Sequence, residues 1–168
     1  GNLCHDALFH PKTPREGGIA AGVPEAAHRV QDLDPNVALV PIVGDPLPET
    51  ITADAIDALG AQAMPRKSWR YLQNRFLQHP WYRYSLRGLI INTELIAVVV
   101  WRQVAVRNRS ILRIVDVIGR VESLGRAAAA FQHELAAADA DYIDIMYYGA
   151  DPQCLHEAGF ITPNTYPD

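Results

Sequence analysis

Two carboxylates in this chain stand where solvent should be scarce. Asp116 interrupts the apolar run ILRIVDVIG (111–119), and Asp144 interrupts YIDIMYY (142–148). Burial penalises a charged carboxylate, so a carboxylate in an apolar setting is a candidate base. The structural alternative is that each pairs with an arginine or a backbone N–H. A second kind of chemistry follows Asp116. Residues 111–131 read as a β-branched strand, a break at Gly119 and an alanine-rich helix resuming after Gly125. A strand–turn–helix presents unpaired N–H groups at the start of the helix, where those donors and the dipole suit a phosphate. Cys154 is a candidate nucleophile without an evident base or orienter, and a buried structural thiol is the simpler account.

The elements around these residues can be read in order. Residues 1–35 hold many Gly and Pro residues and no sustained period, which predicts an extended arm or linker ahead of one domain over 36–168. His5, His10 and His28 lie in that arm at spacings that match no compact metal site, so no metal is expected. Residues 37–43 predict a strand, with Pro41 pointing to a sheet edge. Thr52 is a cap for a helix over 53–62, and Ser68 for a second helix to about Gln78 whose apolar stripe is Trp69, Leu72, Phe76 and Leu77. Residues 81–91, 94–106 and 110–118 then read as three strands joined by hairpin-length connections. A helix over about 123–138, a strand at 142–148, a short helix capped by Asp151 and a strand starting at Phe160-Ile161 complete the order. The sum is an α/β (α+β) mixed sheet with helices on both faces.

Composition narrows the partners. With 168 residues, 49% hydrophobic, the chain suits one compact domain. A formal net charge of −4 and the lack of a long basic run argue against a nucleic-acid partner. The arginines at 66, 70, 75, 83 and 87 read chiefly as a solvated face. Two cysteines without a CxxC pair point to a reducing, cytoplasmic setting. The run 89–100 is broken by Asn92, Thr93 and Glu94 and falls short of the roughly 20 residues a membrane span needs. No secretory signal pattern opens the chain, and the missing initial Met predicts a piece of something longer.

The order of elements, with the strand–turn–helix at its centre, resembles the GNAT superfamily of N-acetyltransferases. The family's acyl-CoA loop, Arg/Gln-x-x-Gly-x-Gly/Ala, corresponds here to residues 120–125. Arg120 and Gly125 fit, and Ser123 replaces the middle glycine. The family's closing Tyr-x-x-x-Gly-Phe keeps its Gly159-Phe160 but loses the tyrosine. SWRYLQNRF, HPWYRY, LRIVDVIG, DYIDIMYYG and EAGF together resemble the GNAT-like domains encoded with bacterial surface-polysaccharide enzymes, over roughly 65–160. A sheet of this family closes with a hairpin after the Gly-Phe. Few residues remain here, so the sheet is expected to be incomplete at the C-terminus, or completed by the N-terminal arm, a preceding domain or a homodimer partner.

The resemblance implies a site. Backbone N–H groups of Val121, Glu122, Ser123, Leu124, Gly125 and Arg126 would hold the pyrophosphate of acetyl-CoA or another acyl-CoA, with charge from Arg120 or Arg126. Ser123 would either narrow the loop or cap the helix. N–H groups near Val117 and Ile118 would hold the acyl carbonyl. The strands of Asp116 and Asp144 would be neighbours that splay near the acyl group, with Asp116 the preferred base. Tyr147 or Tyr148 could supply the missing hydroxyl, and His156 follows the place where the family tyrosine is lost. The aromatics Trp69, Tyr71, Trp81, Tyr82, Tyr84 and Trp101 read either as an acceptor groove or as core.

Three functions are therefore expected to compete. The first is an acyl-CoA-dependent N-acyltransferase acting on a small-molecule amine, for instance an amino sugar of a surface polysaccharide. The second is a degenerate GNAT module that packs against a partner domain without catalysis. The third is a transferase using aminoacyl-tRNA, which the absence of a strong basic patch disfavours.

Overall fold

The computed structural model of the chain describes residues 3–9, 34–106, 109–148 and 151–162. Its strands are β1 (Cys4–Phe9), β2 (Val37–Ile42), β3 (Ser85–Ile91), β4 (Glu94–Val106), β5 (Arg109–Gly119) and β6 (Tyr142–Tyr147). Its helices are α1 (Ala53–Leu59), α2 (Trp69–Leu72), α3 (Ala128–Ala137) and α4 (Pro152–Glu157). The strands lie side by side as β1-β6-β5-β4-β3-β2. Within this sheet β5 and β6 run parallel and the other neighbours antiparallel. The result is a mixed α/β sheet with helices on both faces.

Local chemistry sets the boundaries. Thr52 accepts the Ala55 N–H at 3.1 Å, Ser68 that of Tyr71 at 3.1 Å and Asp151 that of Gln153 at 2.9 Å, so each predicted cap opens its helix. Asn92 and Thr93 both have positive φ, 50° and 69°, which turns β3 into β4 through two residues with the twist a tight hairpin needs. Pro41 lies in β2, at the sheet edge. Packing then fixes the layers. Ile56, Trp69, Leu72 and Phe76 of the first two helices and the turn after them are buried on one face. Phe131, Leu135 and Leu155 of α3 and α4 are buried on the other. Each such side chain contributes roughly 1.5–3 kcal/mol by leaving water. No helix among the described residues is long and apolar enough to cross a membrane.

Several elements differ from expectation. The second helix becomes a π turn over Gln73–Leu77 instead of continuing as α-helix. β3 begins at Ser85 because the preceding turn is held elsewhere: His79 Nδ1 accepts the N–H groups of Trp81 and Tyr82 at 3.3 and 3.0 Å. The helix expected from Ser123 starts at Ala128, after a 3₁₀ segment over Val121–Ala127. Of the strand expected from Phe160-Ile161, the described residues show an isolated bridge between Ala7 and Ile161.

The N-terminal stretch takes one of the parts expected of it: Cys4–Phe9, within the stretch read as an arm, is β1 and covers the outer edge of β6. Its last four residues, Asp6 to Phe9, are all buried, so both faces of the strand are covered and the inside–outside alternation that marks a strand in sequence is missing. His5 is accordingly a strand residue with its Nε2 3.4 Å from Asp144 Oδ2, rather than a solvated arm residue. His10 and His28 lie outside the described residues, as does most of the stretch read as an arm.

Candidate functional site

The parallel pair β5–β6 is registered only from Ile111 opposite Tyr142 to Ile114 opposite Ile145. Beyond that point β5 keeps its partner on the other side, β4, as far as Gly119, while its β6 side has no strand against it among the described residues. A bulge lies at the point of parting. On β4, Val100 faces Asp116 and the next residue, Trp101, faces Ile114, which leaves Val115 as an extra residue in β5. A bulge of this kind bends its strand and re-aims the side chains that follow. The space so opened is a cleft of about 250 Å³ lined by residues 114–117, Val121 and residues 145–148.

Asp116 lines this cleft, and its Oδ1 accepts from Lys67 Nζ at 2.6 Å. Lys67 is brought there by its loop. Its N–H donates to Gly60 O at 3.1 Å, and a side chain at Gly60 would collide with the Lys67 carbonyl. Two residues on, the Trp69 N–H donates to Asp57 Oδ1 at 2.6 Å. Asp144 has the structural role instead. It is 1% exposed and forms a two-oxygen ion pair with Arg113, whose Nη2 lies 2.6 Å from Asp144 Oδ2.

Tyr148 also lines the cleft and is 68% exposed. Tyr147 lines it too, but its hydroxyl is committed, donating to Asp6 Oδ2 at 2.8 Å. Burial, then the bond to the Asp6 carboxylate, pushes the Tyr147 phenol well above its usual value. Thr162 Oγ1 donates to the other oxygen of Asp6 at 2.6 Å, and His156 Nε2 lies 3.8 Å from Oδ2. His156 therefore belongs to the group that holds β1 through the fully buried Asp6, apart from the cleft residues. Cys154 is buried on α4. Its thiol donates to the Asp151 carbonyl at 3.0 Å, and burial raises its pKa.

The turn from β5 into the 3₁₀ segment needs Gly119, whose φ is +105° and whose missing side chain leaves room for the Ile96 carbonyl. Arg120 N–H donates to that carbonyl at 3.1 Å. The first helical bond runs from Ser123 N–H to Arg120 O at 3.1 Å, so the Val121 and Glu122 N–H groups precede it. Ser123 caps no helix through its side chain, since the cap of the 3₁₀ segment is Arg120 and that of α3 is Ala127, neither with a side-chain bond. Gly125 is a packing glycine: a Cβ there would lie 3.1 Å from the Cys154 carbonyl on α4.

The remaining donor-side residues divide by burial. Val117 lines the cleft, whereas the side chains of Ile118 and Leu124 are buried in opposite core layers. Arg120 is exposed and pairs with Glu94 at 3.3 Å. Arg126 pairs with Asp34 at 3.0 Å, and the Asn36 backbone N–H together with Arg126 holds the Asp34 carboxyl below its usual value. Of the aromatics, Trp69 and Trp101 are core, while Trp81 and Tyr82 are exposed. Sequence patterns offered no signal for Lys67, which is brought to Asp116 only by the closure of its loop on Gly60. No group of three or more His, Cys, Asp or Glu among the described residues could hold a metal ion.

No protein-family model matches this chain, and no curated protein matches it in sequence. Solved structures do match in shape. A GCN5-related N-acetyltransferase from Anabaena variabilis superposes with a TM-score of 0.52 at 12% identity, covering 98% of this chain and 36% of that one. One from Kribbella flavida gives 0.51 at 14% identity, covering 96% of this chain and 55% of that one. The chain thus spans between about a third and just over half of these two proteins, and its fold is that of the GNAT acetyltransferases.

Proposed function

We propose that this chain is an acyl-CoA-dependent N-acyltransferase-like domain in which the pantetheine arm of the donor lies between β5 and β6. The observation that carries this reading is the loss of β6 as a partner for β5 beyond Ile114 and Ile145. An unpartnered strand edge leaves N–H and C=O groups that an amide-bearing chain can satisfy. A cleft of about 250 Å³ suits that arm and not a whole nucleotide. The pyrophosphate would lie at the Val121 and Glu122 N–H groups, where Arg120 and Arg126 would exchange Glu94 and Asp34 for phosphate.

In the transfer, the acceptor amine would attack the thioester carbonyl carbon, forming a C–N bond as the C–S bond breaks. Backbone N–H groups near Val117 and Ile118 would hold the oxygen that gains charge. Asp116, positioned by Lys67, would take the amine proton, and Tyr148 would supply one to the departing thiolate. His156 has no part in that step. The acceptor in this reading is an amino sugar or related precursor of a bacterial surface polysaccharide, met in the cytoplasm. The exposed ring of Trp81 supports it, since sugars stack on such faces.

A second reading, a module that packs against a catalytic partner without turnover, draws support from the packing of Gly125 on α4 and from the ion pairs that occupy both loop arginines. Titrating the chain with acetyl-CoA and with CoA by calorimetry separates the two. The acyltransferase reading expects saturable binding that Ser123→Asp weakens about tenfold or more by placing a negative charge beside the pyrophosphate. Absence of binding at about 1 mM ligand would leave the second reading standing.

A further inference from the structure

We propose that Arg102 anchors an oxyanion site, for a phosphate or carboxylate group, on the face of the sheet that carries α1 and α2. Arg102 stands directly opposite Arg113 across the β4–β5 ladder. Like charges facing each other across a ladder are destabilising unless something neutralises them. Arg113 has its counterion in Asp144, which is 1% exposed. Arg102 pairs with no acid among the described residues, and its Nε is buried without a hydrogen-bond partner. Buried charge and buried donors in folded proteins are ordinarily satisfied.

The guanidinium is nonetheless held. Its Cζ lies 4.6 Å from the centre of the Tyr82 ring, a cation–π contact that holds the group in place. A planar fork held by an aromatic face, short of one partner, matches the two-point geometry of phosphate and carboxylate oxygens. Lysine in the same place would lack both the fork and the stack.

The site bears on the reaction through its position. Asp116 is registered with Val100 on β4, two residues before Arg102, and alternate residues of a strand share a face. Two residues of strand span roughly 7 Å. An acceptor with its amine near Asp116 and its oxyanion on Arg102 therefore needs the two groups separated by about the length of one small molecule. This link to an acceptor rests on the acyl-transfer reading; the anion site itself does not.

The test uses the full chain labelled with ¹⁵N, following the arginine Nε–H signals by NMR while inorganic phosphate and, separately, acetate are added at constant ionic strength. The Arg102 signal, assigned through its bonds, is expected to move saturably with at least one probe, with a dissociation constant on the order of 1 mM or below. A larger response to phosphate identifies a phosphoryl ligand, and a larger response to acetate a carboxylate. Arg102→Lys, which keeps the charge, is expected to weaken binding about tenfold in calorimetry. An Nε–H signal that moves with neither probe, or that follows ionic strength alone, overturns the proposal, as does unchanged binding in a folded Arg102→Lys chain. Neither measurement involves CoA, so this site can fail while donor binding stands, and the reverse.

Discussion

Lys67 Nζ lies 2.6 Å from Asp116 Oδ1 although the two residues are 49 positions apart in sequence. Both side chains are mostly buried, at 20% and 15% exposure, and Asp116 also borders the cleft between β5 and β6. The candidate base is thus tied to the loop between α1 and α2. Any proton transfer at Asp116 takes place beside a fixed cation.

Removing one partner of this pair should cost more than removing both. Lys67→Met leaves a carboxylate mostly out of water and is expected to lower stability by about 1–2 kcal/mol, less than the 3–5 kcal/mol of a fully buried pair. Adding Asp116→Asn should restore most of that loss. Urea unfolding of the two single variants and the double variant checks it, and additive losses would show that the two groups do not interact.

Gly125→Ala should destabilise the fold whether or not any donor binds. A Cβ at that position presses on the Cys154 carbonyl and on Glu157 of α4, a crowding expected to cost about 1 kcal/mol. Thermal unfolding without ligand provides the measurement. Unchanged stability would mean that α4 yields easily.

Alkaline stability should depend on Tyr147. Its folded phenol is held above the ordinary value of 10.0 by burial and by the Asp6 carboxylate it donates to. A group raised in this way contributes its full stability below the unfolded value and loses it as pH rises beyond that value. From about pH 10 upward the unfolded chain releases this proton while the folded chain keeps it, a loss of at most about 1.4 kcal/mol per pH unit. In Tyr147→Phe this component vanishes, and stability at neutral pH drops by about 1.5 kcal/mol for the lost charge-assisted bond. Urea unfolding across that pH range compares the two chains.

Cys154 should resist alkylation in the folded chain. Its thiol is buried, donates to Asp151 O and has its pKa raised first by burial and then by Glu122, so little thiolate is present at neutral pH. Iodoacetamide labelling read by mass spectrometry should modify it far more slowly than in the urea-unfolded chain. Equal rates in the two states would overturn its assignment as a buried structural thiol.

Much of the architecture was legible in the sequence because it rests on local chemistry. Thr52, Ser68 and Asp151 accept N–H groups within three residues of themselves, and the Asn92-Thr93 turn is a two-residue link with positive φ at both positions. Alternation and helical stripes likewise predicted β4, β5, β6 and the burial of Trp69, Leu72 and Phe76. Local pattern failed where an element depends on its surroundings. β1 has no alternation because neighbours cover both of its faces, and the 3₁₀ segment after Gly119 owes its shape to packing on α4.

The candidate site divides along the same line. Residue type and spacing were enough to mark Asp116 and the turn at 120–126 as candidates, since an isolated carboxylate in an apolar run and a glycine at a strand end are visible without partners, whereas Tyr147 and Tyr148 were alternatives that only the family resemblance offered. Tertiary structure alone decided that Asp144 is neutralised by Arg113 and that His156 belongs with Asp6. It also decided that Lys67 reaches Asp116 and that Arg102 faces Arg113 with no acid of its own among the described residues. Those outcomes depend on strand register and on loops closing over tens of residues. One register step would turn every side chain of a strand to the other face, and no short stretch of sequence encodes that choice.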